Sequence, residues 1–156
     1  MISLRQLLCK YFCGGKDEPE KPFTTLRRRY GRHIRLVLGA QYPNASIRIA
    51  DSQYDAPLLS EFQAWLKRDN VSELKFHAEH HDCDDYARAL RCKMFNIGRS
   101  LDTSIAVAYC EGRAGTGYPA FNLLIDDMDA IYIIEPQSDK VVLAVKSKYK
   151  PDFIQI

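Results

Sequence analysis

Membrane spans, metal-finger cysteines and a base-reading surface are all missing from this 156-residue chain. Its opening stretch, MISLRQLLCKYFC, is too short to cross a bilayer and lacks the apolar run and small-residue cleavage site of a signal peptide, so no transmembrane segment is expected. Cys9, Cys13, Cys83, Cys92 and Cys110 have neither zinc-ligand spacing nor the density of a disulfide framework, and a reducing, cytoplasmic setting is the expectation. There is no EF-hand loop. A net charge of +2 singles out no class of partner. No histidine follows Cys83: all four, His33, His77, His80 and His81, precede it. The length supports one domain, with a core large enough to fold without disulfides.

The N-terminal segment places Ile2, Leu4, Leu8 and Phe12 near one face, with Arg5 and Lys10 elsewhere, as in a short amphipathic helix ended by Gly14-Gly15. A strap packed on the domain is one reading. Contact with a membrane surface through residues 1–13, or acylation of Cys9 or Cys13, is the other. Lys16 to Pro22 is charged and proline-containing, a linker or exposed loop. The expected plan is therefore an amphipathic segment and linker over 1–23 and one domain over 24–156.

Arg27, Arg28, Arg29, Arg32 and Arg35 crowd a short basic stretch that can face phosphates or an acidic partner, or form the solvated face of a helix. No base-stacking aromatic pattern accompanies them, so no specific nucleic-acid partner is expected. A short strand is expected over Ile47–Ala50 and a helix over Ala56–Lys67, where Leu58, Leu59, Phe62, Trp65 and Leu66 form an apolar stripe.

The richest stretch is His80-His81-Asp82-Cys83-Asp84-Asp85-Tyr86-Ala87. Asp82 stands at a helix N-cap, and Cys83, Ala87, Leu90 and Met94 recur at helical spacing, which puts Cys83 on the first turn. Free N–H groups and the helix dipole favour a thiolate there, while three carboxylates oppose it. The plainer reading is a small buried cysteine beside aspartates that cap and solubilise the helix. His77, His80 and His81 can bind a transition metal, although their spacing is no recognised closed ligand set.

The helix ends near Gly98, and alternation then predicts strands at 103–110, 120–126, 131–135 and 141–146. The fold class expected is α+β, with N-terminal helices followed by an antiparallel meander packed on the Cys83 helix.

Several motifs fall in one order: Tyr42 and Asp51 ahead of a helix carrying Trp65, then Asp82-Cys83-Asp84-Asp85-Tyr86-Ala87, then Gly117-Tyr118-Pro119-Ala120-Phe121-Asn122, then Glu135-Pro136-Gln137. This order resembles the papain-like cysteine-protease domain of the Marasmius oreades mushroom agglutinin and its smaller bacterial and phage relatives, over residues 24–156. The resemblance implies a papain-like fold, Cys83 as nucleophile, Glu135 as the residue that orients a histidine, and Asn122 as a further catalytic residue. It also implies a dependence on Ca²⁺ and, for a phage-encoded relative, the cytoplasm of a bacterial host. The histidine position falls on Pro119, which can neither take nor return a proton. The expected function is thus a papain-like domain without peptidase activity, binding a protein partner. The alternative is an active cysteine hydrolase using Cys83, Glu135 and a base recruited from His77, His80 or His81. A nucleic-acid or membrane-surface role for the arginines and the N-terminus is a third class. Asp84 and Asp85 on the helix, with Asp126 and Asp127 on a loop, are the expected Ca²⁺ ligands; otherwise Asp126 to Asp129 form a solvated turn and Asp84 pairs with Arg88.

Overall fold

The computed structural model describes residues 21–75 and 82–156. The chain enters on strand β1 (Leu26–Tyr30) and continues through α1 (Gly31–Gln41), β2 (Ser46–Arg48), β3 (Gln53–Pro57) and α2 (Leu59–Leu66). After α3 (Cys83–Ser100) come β4 (Val107–Ala114), β5 (Ala120–Ile125), β6 (Ile131–Glu135) and β7 (Lys140–Leu143). A single 3-10 turn at Ala144–Lys146 leads to β8 (Tyr149–Gln155). Strands β1 and β3 pair antiparallel, and a six-stranded sheet runs in the order β2-β8-β4-β5-β6-β7.

This architecture is mainly β, with three α-helices among the described residues, and it corrects the expected papain-like α+β arrangement of helices first and strands afterwards. Two features make the difference. The arginine-rich stretch divides: Arg32 and Arg35 lie exposed on α1, whereas Arg27 to Arg29 lie on a strand and not a helix face, where Arg28 pairs across the ladder with Asp55, directly opposite it, and buried Arg29 reaches Asp129. The last strand, β8, inserts parallel to β2 and antiparallel to β4, so the sheet is mixed and joins chain from before α2 and α3 to chain that follows them. At the β4–β8 register shift stands Gly112, where a Cβ would lie 2.2 Å from the Lys150 carbonyl oxygen, so the bulge requires glycine.

Each face of the large sheet carries a core. Strand β5, AFNLLI, is buried along its whole length and alternates between them. Phe121, Leu123 and Ile125 meet Ile34 and Leu38 of α1, whereas Leu124 meets Trp65 of α2 and Leu90 and Met94 of α3. Asn122 faces α3 as well, fully buried; its Nδ2 donates to the carbonyls of Ala87, 2.9 Å, and Ala108, 3.1 Å. That amide ties the first half of α3 to the sheet and so fixes where Cys83 stands.

Candidate functional site

Helix α3 begins at Cys83 because Asp82 caps it: Oδ1 of Asp82 accepts from the Asp84 N–H at 3.3 Å, and the extended backbone of Asp82 turns the chain into the helix. Ala87, one turn on, packs with Tyr109 and Ala120, and half-buried Cys83 rests against this group. The N–H of Ala120, at the start of β5, donates to the Cys83 Sγ at 3.3 Å. Pro119 is therefore the neighbour of the group that touches the thiol, and Tyr118, beyond it, is 58% exposed. Among the described residues Cys110 is the other free thiol; it is buried on the opposite face of β4 from Tyr109, and burial pushes its pKa up. Cys83 is the accessible one of the two.

Glu135 ends β6, which runs antiparallel to β5 with Asn122 opposite Ile134, so Glu135 arrives at the same end of the sheet as Ala120. Its carboxylate is already engaged. Oε1 accepts from the Tyr149 hydroxyl and Oε2 from the Ser138 hydroxyl at 2.7 Å. The Tyr149 bond, ahead of the Ser138 bond, holds Glu135 below the usual carboxylate range. Tyr149 in turn is pushed up, mainly by burial and then by Glu135, with a smaller push from Cys83. Its ring packs on Phe121 with centroids 4.9 Å apart.

Among the described residues the histidine is His33, whose Nε2 lies 3.2 Å from Asp129 Oδ2. Asp129 follows the far end of β5, and six strand residues at roughly 3.3 Å each put it about 20 Å from Ala120. His33 therefore serves no proton transfer at Cys83. His77, His80 and His81 lie outside the described residues, as does the segment 1–20.

The four aspartates expected to share one ion are divided by the same length of strand. Asp126 Oδ1 accepts from the Met128 and Ala130 N–H groups and closes the β5–β6 turn, and the Asp127 carbonyl receives Arg27 and Arg29. Asp84 and Asp85 instead join Asp82, the three carboxylates placing oxygens within 4.8 Å of one another. Hard oxygen donors of this kind suit Ca²⁺. Asp84 is also tied to Arg88, and its hydrogen bond with Asp82 raises its carboxyl while lowering that of Asp82.

The sequence reading missed Tyr149, because β8 was not recognised as a strand. It did pair Arg88 with Asp84, as the structure has it, but not with the Tyr109 ring, whose centroid lies 5.4 Å from the Arg88 guanidinium. Residue type alone gives no signal for either.

No family model and no curated protein matches the sequence. Solved structures do match. PSL1a, in complex with E64, superposes with a TM-score of 0.71 at 16% identity over 83% of this chain and 50% of that one. The Polyporus squamosus lectin bound to the human-type influenza-binding epitope Neu5Acα2-6Galβ1-4GlcNAc gives 0.69, 16%, 83% and 49%. The fold is shared with fungal lectins. The chain spans about half the length of each, and at this identity the likeness concerns the fold alone. Fungal-lectin neighbours are compatible with the expected link to a mushroom agglutinin, whereas the papain-like fold is not what they show.

Proposed function

We propose that this chain is a binding module that carries out no peptide hydrolysis, and that its ligand lies over the junction of the α3 start with β5. The observation that carries this reading is the Glu135–Tyr149 hydrogen bond. A cysteine hydrolase needs a base beside the thiol and a group that orients it. Here the N–H that touches Cys83 belongs to Ala120, its neighbour is Pro119 where the family pattern has a histidine, and Glu135 already accepts from Tyr149 and Ser138, so no described residue serves as the base of a Cys–His pair. Around the thiol, exposed Tyr118 offers an aromatic face, and Arg88, Asp85 and Glu111 offer polar groups suited to holding a hydrogen-bonding ligand. The lectin neighbours support a binding role, and their glycans are the first class of ligand to test.

The test is binding without turnover. The trisaccharide named above, and separately a set of unstructured peptides, are titrated into ¹⁵N-labelled protein. The reading expects saturable amide shifts at residues 83–85, Tyr118 and Ala120 with one of these ligands, which is then recovered intact. A ligand recovered cleaved by wild type but intact from Cys83→Ala contradicts it.

A second reading rests on one observation, the E64 complex of PSL1a. E64 carries an electrophilic epoxide, and a half-buried thiol at a helix start that accepts a backbone N–H is a suitable nucleophile for it. In that reading Cys83 captures its ligand covalently, and mass spectrometry after E64 treatment finds one adduct on Cys83.

A further inference from the structure

The arginines that open the domain surround a cavity of about 310 Å³, lined by Arg27, Arg28, Arg29, Tyr30, Arg32, His33 and Asp129. Strand β1 brings three of them and the start of α1 the fourth. They differ in what neutralises them. Arg28 forks onto Asp55 through Nε at 2.9 Å and Nη2 at 3.1 Å, and Arg29 is buried against Asp129 and the Asp127 carbonyl. Both charges are met by a carboxylate. Arg27 donates only to the neutral Asp127 carbonyl, and the Arg32 guanidinium lies 5.5 Å from the Tyr30 ring centroid with no carboxylate against it among the described residues. Among the described residues, the cavity thus presents two guanidinium groups with no carboxylate partner.

The backbone adds to this. The first turn of α1 has no acidic residue, and its N-cap residue, Tyr30, makes no side-chain cap bond. The Gly31 N–H is taken by the Ser52 carbonyl. The first turn of α1 thus brings no negative charge to the cavity that Arg27 and Arg32 line.

We propose that this cavity binds a doubly charged oxyanion, the phosphate group of a monoester, with Arg27 and Arg32 as its charge partners. The chemistry fits: a guanidinium matches the edge of such a group with two parallel N–H donors, and two unpaired cations balance its charge. Arg28 and Arg29 act as the frame, their carboxylate pairs keeping β1 in place. The cavity lies at the opposite end of β5 from Cys83, so this proposal stands apart from the binding role given to that junction.

Inorganic phosphate and sulfate are the probes, titrated against chloride at matched ionic strength and read by ¹H–¹⁵N NMR at the Arg27 and Arg32 Nε–Hε groups and the Arg32 and His33 amides. Saturable shifts with phosphate or sulfate are expected, with none from chloride beyond a uniform salt response. Arg27→Ala and Arg32→Ala each weaken the binding about tenfold, the scale of one hydrogen bond to a charged group. Both residues are exposed, so neither change disturbs the core. Arg113→Ala, an exposed arginine on β4, leaves the titration unchanged. Shifts that stay linear, that chloride reproduces, or that survive the Arg27→Ala, Arg32→Ala double variant overturn the proposal. Phenyl phosphate separates the sources: tighter binding than inorganic phosphate assigns the site to esters, and equal or weaker binding overturns the ester assignment.

Discussion

The Tyr149 hydroxyl donates to Glu135 Oε1 across the end of the six-stranded sheet, from a strand that follows Glu135 by fourteen residues. The bond engages one oxygen of the carboxylate that the agglutinin resemblance casts as the partner of a histidine. It also fastens β8 to β6. Tyr149→Phe is expected to cost about 1 kcal/mol, the net worth of a partly exposed hydrogen bond, read as a lower urea midpoint with an unchanged slope. An unchanged midpoint would mean that the bond does not persist in solution.

Acid should undo two such contacts together. Asp55, held by its Arg28 bond, and Glu135, held by Tyr149, both titrate below the usual carboxylate range when folded. The unfolded chain then binds more protons in acid, so their contribution is complete above the ordinary carboxylate pKa of about 4 and is lost as pH falls through the depressed folded values. Asp69, which burial pushes up, works in the opposite sense, so variants are compared with wild type rather than read alone. The melting temperature is expected to fall below about pH 4, and Asp55→Asn with Glu135→Gln to lower the neutral plateau and flatten that fall. A slope unaltered by both changes would remove these two groups from the account.

Asn122 is expected to matter for stability rather than for chemistry. Its buried amide holds the Ala87 and Ala108 carbonyls, so Asn122→Leu should cost about 2–3 kcal/mol in chemical denaturation. Asn122→Asp should cost more, because it puts a carboxylate against two carbonyl oxygens. A neutral Asn122→Leu would show that the clamp does not hold α3 to the sheet.

How much of this was legible depends on how far apart the determining residues lie. Helix α3 is announced locally, by Asp82 at its cap and by apolar residues at helical spacing, and β5 by an unbroken buried run between turns. Strand β1 is not. Three consecutive arginines read as a solvated helix face until Asp55 and Asp129 are beside them, and these partners lie 27 and 100 residues away. Strand β8 is hidden by Pro151, a residue usually kept out of strand interiors; here it sits opposite Gly112 at the register shift, where the ladder is already broken. Missing β8 meant missing Tyr149, and without Tyr149 the carboxylate of Glu135 looked free for catalysis. The aspartates misled in a similar way. Asp84, Asp85, Asp126 and Asp127 look like one ligand set in a list, but strand β5 separates them into a helix cap and a turn.

Replacing Tyr118 by alanine tests where the ligand sits. The side chain is exposed and its loss should leave the melting temperature within about 1 °C, since surface changes away from packed features stay within about 0.5 kcal/mol. Ligand affinity at the Cys83 junction should drop several-fold. Unchanged affinity would move the binding surface away from the β5 start.

The central claim is that the Cys83 junction binds without hydrolysing peptides. Its most direct test is the release of acid-soluble fragments from unfolded casein by wild type and by Cys83→Ala, with and without millimolar Ca²⁺. The account predicts equal, background release from both proteins in both conditions, because among the described residues no base stands beside the thiol, and Glu135 is held by Tyr149. Release by wild type that Cys83→Ala abolishes would contradict it.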